Sequence, residues 1–303
     1  MPLFLVNSRT YTAFAPIQEE LALTPHQNYL FDLSYLGCLN AIGPRASEFL
    51  QGQVSCDLRE VTPSEMRQGA MCNLKGRVLA LLDVVDWQGL HLILPNDLLA
   101  DTEISLSKTA AFSQVKLLPS TAYQPFGFYL QNREDLLPFN AELPDENHHV
   151  MQHETYCCYH LGAGFYIYLI DKTHASSLCE TFIQHDQWRG SLAWHALQLQ
   201  QSRVEIYPES RGLFLPHRLR LDLSGYLNFN KGCYKGQEIV ARMHYRAKRT
   251  HELKQVTVQM NEPPQSGQRL IGDDGAEIGE LIDFCPISDG RYLCVASAML
   301  ELT

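Results

Sequence analysis

Apolar and polar positions alternate along the chain in a pattern that predicts both strands and helices. Residues 69–85 contain two apolar runs around the polar turn NLKGR at 73–77, and this arrangement predicts a β-hairpin. Residues 155–170 predict a second hairpin. Residues 44–51 and the segment that opens near 95–97 carry helix-start signals. The chain is therefore predicted to have an α+β fold.

The pattern changes toward the end of the chain, where short β-like runs such as KQVTVQM and RYLCVASAML are separated by turn residues. This pattern predicts a small all-β unit, namely a β-barrel. The polar, proline-containing segment 139–153 interrupts the earlier part of the chain and predicts a junction. We therefore expect two α+β subdomains, residues 1–145 and 146–250, followed by a C-terminal β-barrel, residues 251–303.

Composition narrows the classes of protein that fit. The 303 residues are 45% hydrophobic, which is enough to bury a substantial core. No apolar run reaches the roughly 18 residues that a membrane helix needs, and the first residues lack the features of a signal peptide, so we expect a cytoplasmic protein without membrane spans. The formal net charge of −10 argues against a protein that coats nucleic acid.

The eight residues Lys231–Glu238, KGCYKGQE, hold a cysteine between two glycines. Glycine permits backbone conformations and close approaches that other residues do not, so Cys233 is predicted to lie on a presented loop. Ile239, Val240 and Met243 follow at helical spacing. The loop is therefore predicted to lead into a helix.

Basic residues follow this loop directly, because the segment Arg242–His251 contains cations and histidines but no acid. One interpretation is a solvated helix C-terminus whose cations complement the helix dipole, and the other is an anion site. The two interpretations are equally favoured by the sequence. An RNA-binding module built on this segment would also be possible chemically, but the net charge of the chain makes it the least favoured function.

The cysteines and histidines do not predict a metal site. The nine cysteines are odd in number and include no Cys-x-x-Cys pair, so neither a disulfide framework nor a zinc ribbon fits. His148, His149 and His153 have no cysteine or glutamate at ligand spacing, which favours a solvated loop.

The octet KGCYKGQE resembles the KGCYTGQE signature of the YgfZ family of folate-binding proteins. Three further segments agree with that family in order: Phe49–Val54, Lys75–Arg77 and Asn228–Asn230. The resemblance covers roughly residues 30 to 300. It implies a fold similar to the glycine-cleavage T-protein (aminomethyltransferase), with a folate pocket between two α+β subdomains and a small C-terminal β-barrel.

The resemblance also implies roles for individual residues. Glu205, in the Arg-x-Glu segment that begins at Arg203, would bind the pterin, because two carboxylate oxygens can accept its adjacent N–H donors. Without the family, an ion pair between Glu205 and Arg203 would be preferred. Lys231 would contact the folate, and Arg242 would extend the positive surface toward an anionic tail or a partner.

The chain departs from these patterns at three places. The catalytic aspartate of T-protein aligns with Leu79-Ala80, so the carboxylate that would assist transfer to folate is missing there. Lys235 stands where the YgfZ family commonly has threonine, and Ile206–Pro208 stands where Ala-Gly is typical.

Cys233 is the residue that chemistry singles out, since Lys231 and Lys235 place positive charge on either side of its thiol. Three roles stay open: it ligates or transiently holds iron–sulfur material, it forms a redox mixed disulfide, or it packs under the loop. We predict a functional thiol, without a catalytic role established.

The function that the resemblance implies is a tetrahydrofolate-binding accessory protein that supports assembly or repair of iron–sulfur enzymes. Its partners would be iron–sulfur client proteins such as tRNA-modifying enzymes, with tRNA reached only indirectly. We expect no independent turnover. The alternative is a folate-dependent one-carbon transferase of the aminomethyl type, against which the Leu79-Ala80 replacement counts.

Overall fold

The structure, a computed structural model, describes residues 3–246, 250–272 and 275–300. The strands are Leu3–Val6 (β1), Arg9–Thr12 (β2), Tyr29–Asp32 (β3), Leu36–Ile42 (β4), Arg67–Cys72 (β5), Val78–Asp86 (β6), Leu90–Pro95 (β7), Lys116–Ser120 (β8), Tyr123–Tyr129 (β9), Val150–Gln152 (β10), Tyr156–Gly162 (β11), Phe165–Asp171 (β12), Trp188–Arg189 (β13), His251–Gln259 (β14), Arg269–Ile271 (β15), Glu277–Ser288 (β16) and Arg291–Met299 (β17). The α-helices are Ile17–Glu20 (α1), Ala46–Gln51 (α2), Asn96–Ala110 (α3), Lys172–Gln184 (α4), Ser191–Gln200 (α5) and Gln237–Arg246 (α6).

The described strands form three larger sheets and one N-terminal hairpin. The five-stranded sheet has the order β5-β6-β7-β4-β8, and the six-stranded sheet has the order β10-β11-β12-β9-β3-β13. The C-terminal sheet has the order β14-β17-β16-β15, while β1 and β2 pair with each other. The predicted α+β fold is confirmed, and the C-terminal strands curl into half of a barrel.

Local sequence patterns place these elements where they were predicted. The apolar runs around NLKGR form the antiparallel pair β5 and β6, with Arg67 opposite Val84. The pair β11 and β12 forms the second predicted hairpin, and every residue of β11 is buried, because both of its faces are covered. The loop that carries Cys233, residues 231–236, is called the cysteine loop, and the helix predicted after it is α6. Lys248 and Arg249 of the predicted basic segment lie outside the described residues.

The chain order of the strands differs from their order in the sheets. Strands β3 and β9 lie within residues 1–145, but they belong to the same six-stranded sheet as β10, β11, β12 and β13, which lie within residues 146–250. The predicted boundaries at residues 145 and 250 stay predictions.

Helix α5 lies between the six-stranded sheet and the C-terminal sheet. Trp194 on α5 lies against Gly127 of β9, where a Cβ would come 2.5 Å from the indole ring. On the side toward the C-terminal sheet, the Nε2 atom of His195 donates a hydrogen bond to the Phe284 carbonyl at 3.1 Å. The helix therefore links the two sheets, and the cleft described below opens beside it. None of the described helices is long and apolar enough to cross a membrane.

Candidate functional site

Glu205 lies on the segment after α5, and its carboxylate accepts hydrogen bonds from three side chains. The hydroxyl of Tyr35 donates to Oε1 at 2.6 Å, and the hydroxyl of Tyr11 donates to Oε2 at 3.0 Å. Arg9 forms an ion pair with the same Oε2 oxygen. The Glu205 side chain is still 18% exposed. Because a carboxylate offers about four acceptor positions, one position is left for a ligand.

The two tyrosines stay protonated and so remain donors. Burial raises the pKa of Tyr35 well above its ordinary value, and the negative charge of Glu205 raises it further. Burial and Glu205 raise the pKa of Tyr11 in the same way. At neutral pH each hydroxyl therefore points its proton at the Glu205 carboxylate, which fixes the orientation of that carboxylate.

Arg9 is held rigidly behind Glu205. Its side chain is 3% exposed, and its Nε and Nη2 donate to the two oxygens of Asp97 at 2.9 and 2.8 Å. Nη2 also donates to the Ile206 carbonyl at 2.7 Å, and the guanidinium lies 4.3 Å from the centre of the Tyr207 ring. A planar guanidinium with a two-pronged partner has little freedom, so Arg9 sets the position of the Glu205 carboxylate.

Asp283 in β16 holds the backbone of the same segment. Its fully buried carboxylate accepts the Glu205 backbone N–H at 2.8 Å and the Tyr207 hydroxyl at 2.7 Å. The Nε2 atom of His195 lies 3.3 Å away. Burial alone would lower the pKa of His195, but the Asp283 charge beside it raises that pKa overall. The C-terminal sheet thus contributes directly to the placement of Glu205.

Glu205 faces a cleft between the five-stranded and six-stranded sheets. A cavity of about 100 Å³ lies against Tyr35 and Glu205. An adjoining cavity of about 550 Å³ is within the range of small-molecule sites, about 300–1,000 Å³. Both cavities are lined by the same six residues, Gln68, Leu81, Leu161, Arg203, Val204 and Tyr226. The cleft therefore combines a narrow end at Glu205 with a wider end beyond these shared residues.

Asp83 supplies a second carboxylate to the narrow end of the cleft. Gln68 donates its side-chain amide to one oxygen at 3.0 Å, and the Tyr159 hydroxyl donates to the other at 3.0 Å. Burial raises the pKa of Asp83 to about 6, although the two hydrogen bonds oppose that shift. A carboxyl group with this pKa changes its charge near neutral pH, which is useful for proton transfer.

Arg203 brings a cation to both cavities. It does not pair with Glu205: its Nη2 donates to the Leu161 carbonyl at 2.6 Å, and its guanidinium lies 5.2 Å from the centre of the Phe165 ring. Burial lowers the pKa of Arg203, but an arginine keeps its charge at neutral pH. The cleft therefore carries a fixed positive charge where the narrow and the wide cavity adjoin.

Lys231 is placed in a different part of the molecule, under the loop that follows α2. Its amine donates to the carbonyls of Gln51, Val54 and Cys56 at 2.8, 2.6 and 2.6 Å. These bonds use the three donors of an ammonium group. Burial lowers the pKa of Lys231 to about 8. In this geometry Lys231 joins the cysteine loop to the Phe49–Val54 segment.

The cysteine loop also packs against the turn of the β5-β6 hairpin. Gly236 has a φ of +86°, and a Cβ there would lie 2.4 Å from the Asn73 carbonyl oxygen. Gly76 on the hairpin has a φ of +70° and lies against Ile239. The backbone N–H of Lys235 donates to the Gly52 carbonyl at 3.1 Å. The segments that carry the family resemblance therefore meet in space.

The structure does not bring all the predicted site residues together. Glu205 lines the narrow cavity, whereas Lys231, Cys233 and Arg242 line neither of the two cavities. Cys233 is exposed on its loop, and Arg242 is exposed on α6. The roles of these residues in folate binding stay predictions.

Leu79 and Ala80, at the position of the T-protein aspartate, are buried in the core. Arg9, behind Glu205, and the cleft residues Tyr35 and Asp83 were not singled out from the sequence. Asp83 carried a signal, because it is an acid inside the apolar run LALLDVVD, where an ionisable residue is costly unless it has partners. Arg9 and Tyr35 carried none, since their contacts with Glu205 join distant parts of the chain.

The fold defines the class of protein. The structure matches the glycine cleavage system aminomethyltransferase T from Bartonella henselae with a TM-score of 0.67, covering 98% of this chain and 86% of that one at 14% sequence identity. The chain therefore has the T-protein fold.

Sequence comparison identifies proteins that are similar to this chain over most of its length. The chain is 27% identical over 283 residues to the tRNA-modifying protein YgfZ of Colwellia psychrerythraea, covering 90% of this chain and 86% of that protein. It is 28% identical to the protein of that name from Yersinia enterocolitica, covering 89% and 83%, and 27% identical to that from Klebsiella pneumoniae, covering 83% and 79%. No family model matches the chain. The resemblance to YgfZ predicted from KGCYKGQE is confirmed over most of the chain.

Proposed function

We propose that this protein binds a tetrahydrofolate in the cleft beside Glu205 and acts as an accessory protein for tRNA modification. The observation that carries the proposal is the Glu205 carboxylate, which is held in place by Arg9, Tyr11 and Tyr35 at the end of a cleft. The fold is that of a folate-related aminomethyltransferase, and the curated relatives are named tRNA-modifying proteins. The fold agrees with the folate part of the proposal, and the names of the relatives support the link to tRNA modification.

The narrow end of the cleft suits a flat heterocycle with N–H donors. Glu205 presents an acceptor to the cavity, and Leu81, Ile93 and Leu98 supply apolar walls. The free acceptor position of Glu205 is on Oε1, and a pterin that donated two N–H groups to this oxygen would replace the hydroxyl of Tyr35, which lines the same cavity. The wider end, where Arg203 supplies a cation, would hold the anionic tail.

Calorimetric titration with tetrahydrofolate tests this proposal. We expect Glu205→Gln to weaken binding by about 10- to 100-fold, because hydrogen bonds to a charged group contribute about 1.5–3 kcal/mol. Glu180→Gln is the matched control, because it makes the same change at an exposed glutamate of α4 that lines neither cavity. If the wild-type protein does not bind tetrahydrofolate, the proposal is wrong. Equal losses in both variants would show that the effect is not specific to Glu205.

The accessory role rests on the exposed cysteine loop. Cys233 presents its thiol to solvent, whereas seven of the other eight cysteines are buried. An exposed thiol can attack a partner's disulfide, which forms a mixed disulfide and releases one of the partner's thiols, or it can ligate iron. We propose that this protein acts in the cytoplasm and that it supports the assembly or repair of iron–sulfur enzymes, including those that modify tRNA.

Cells that carry Cys233→Ala test the accessory role, with growth and tRNA thiolation as readouts. We expect reduced thiolation at normal protein levels. Cys179→Ala, which alters a half-buried cysteine on α4, is the control. Normal thiolation in the Cys233 variant would show that the thiol only packs against its loop.

Asp83 supports a second candidate function, transfer of a one-carbon unit from folate to an amine. The carboxyl group stands in the cleft although the T-protein position holds Leu79-Ala80, and its pKa of about 6 suits a general base. Incubation with formaldehyde-loaded tetrahydrofolate and candidate amines would distinguish the two functions. Turnover that disappears in Asp83→Asn would favour the transferase, and absence of turnover would favour the accessory protein.

A further inference from the structure

His217, Asp222 and His244 come together at the surface, away from the cleft. One ligand atom from each residue lies within 4.8 Å of the other two. None of the three residues lines either cavity of the cleft. The three side chains therefore lie outside the cleft, although Leu221 and Leu223, on either side of Asp222, line the wider cavity.

The local chain fold explains why His217 and Asp222 are neighbours. The 3-10 helix Pro216–Leu219 carries His217, and Arg220 at its end has a left-handed φ of 55°. The backbone N–H of Leu221 donates to the Pro216 carbonyl at 3.1 Å, which closes the turn. The reversal brings the Asp222 carboxylate back beside the imidazole.

His244 approaches from α6 and is held by an aromatic contact. Its ring stacks on Phe229 with 3.7 Å between the ring centres and 15° between the planes. The ring centres of His217 and His244 are 6.3 Å apart. His244 is exposed and also lines a cavity of about 520 Å³ with Asn228 and Asn230. A ligand bound at the cluster would thus be open to solvent on that side.

Two imidazoles and one carboxylate are a metal-binding donor set. Zinc binds histidine nitrogen and carboxylate oxygen at about 2.0–2.2 Å, which puts neighbouring ligand atoms of a tetrahedral ion about 3.4 Å apart. Separations within 4.8 Å need only small side-chain rotations to reach that geometry. We propose that His217, Asp222 and His244 bind one divalent transition-metal ion, Zn²⁺ fitting best, with water in the remaining position.

Sequence spacing does not reveal this site, because its three ligands come from a 3-10 helix, a turn and α6. The histidines that the sequence did bring together, at 148, 149 and 153, are not part of the cluster. The site instead follows from the contact of α6 with the segment before the cysteine loop.

Metal titration of the chelator-treated protein tests the proposal. Zn²⁺ affinity is measured by competition with a chromophoric chelator, and Co²⁺ binding is followed by visible absorption, which reports coordination geometry. We expect one ion per chain. His244→Gln and Asp222→Asn should each weaken binding by about tenfold or more. His174→Ala, which removes an exposed histidine on α4, should leave the affinity unchanged.

Cys233 is the main competing ligand, since its thiol is exposed. Cys233→Ala should retain the ion with an unchanged Co²⁺ spectrum, because the proposed site has no sulfur ligand. Loss of binding in Cys233→Ala, or an unchanged affinity in His244→Gln, would overturn the proposal, as would failure to bind Zn²⁺ at all. Circular dichroism of each variant checks its fold, and His244→Gln carries the test because His244 is exposed.

Discussion

Replacing Asp83 by asparagine should change how the stability of this protein depends on pH. The pKa of Asp83 is about 6 in the folded protein, compared with 3.8 for an ordinary aspartate. The folded protein therefore holds the Asp83 proton more tightly than the unfolded chain does. Stability from this group is fully present below about pH 4 and is lost as the pH rises through about 6.

The size of the effect follows from the shift. About two pKa units at about 1.36 kcal/mol each give about 3 kcal/mol of unfolding free energy. Because the cleft admits water to the half-buried Asp83, we take this figure as an upper bound. The wild-type protein should lose this much relative to Asp83→Asn between pH 4 and pH 7.

Urea unfolding at a series of pH values between 4 and 7 measures the difference. Asp86→Asn, which changes another aspartate of β6, is the matched control and should follow the wild-type curve. Parallel pH profiles for the wild-type protein and Asp83→Asn would refute the reasoning. Such a result would mean that water and the donors Gln68 and Tyr159 stabilise the charged carboxylate in full.

Three further predictions concern the cleft and the cysteine loop. Gly236→Ala should lower the unfolding free energy by about 2 kcal/mol or more, because the φ of Gly236 is +86° and the added Cβ would meet a carbonyl oxygen. Gly232→Ala is the control: a Cβ there has no atom within 4 Å, so the variant should lose about 1 kcal/mol or less. Thermal unfolding of the two variants measures the difference. Lys231→Met should destabilise the protein by about 3 kcal/mol, because three carbonyls lose a charged donor, and wild-type stability in urea would contradict this. Tyr35→Phe should bind tetrahydrofolate at least as tightly as the wild-type protein, since a Glu205 oxygen is freed; a calorimetric loss of affinity would show that the hydroxyl contacts the ligand.

The sequence predicts the parts of this structure that depend on neighbouring residues. The β5-β6 hairpin follows from alternating apolar residues around a polar turn, and α6 follows from apolar residues at helical spacing after Gly236. Glu205 was predicted as a site residue through its family resemblance, and its place in the cleft agrees with a binding role without testing it.

The surroundings of Glu205 could not be predicted in the same way. Arg9 approaches from β2 and Asp283 from β16, and no local pattern links either residue to the Arg-x-Glu segment. Lys231 illustrates the reverse problem: the family resemblance implies a folate contact, but its three carbonyl acceptors come from residues 51–56. Tertiary hydrogen bonding determines the position of each of these groups.

The contacts of Glu205 with both ends of the chain have a consequence for biosynthesis. Arg9 belongs to β2, whereas Asp283 belongs to β16, far along the chain from it. Chains fold as they emerge, with N-terminal parts first. The surroundings of Glu205 are therefore completed only after β16 has been made, so a nascent chain would stay unable to hold its ligand until β16 has left the ribosome.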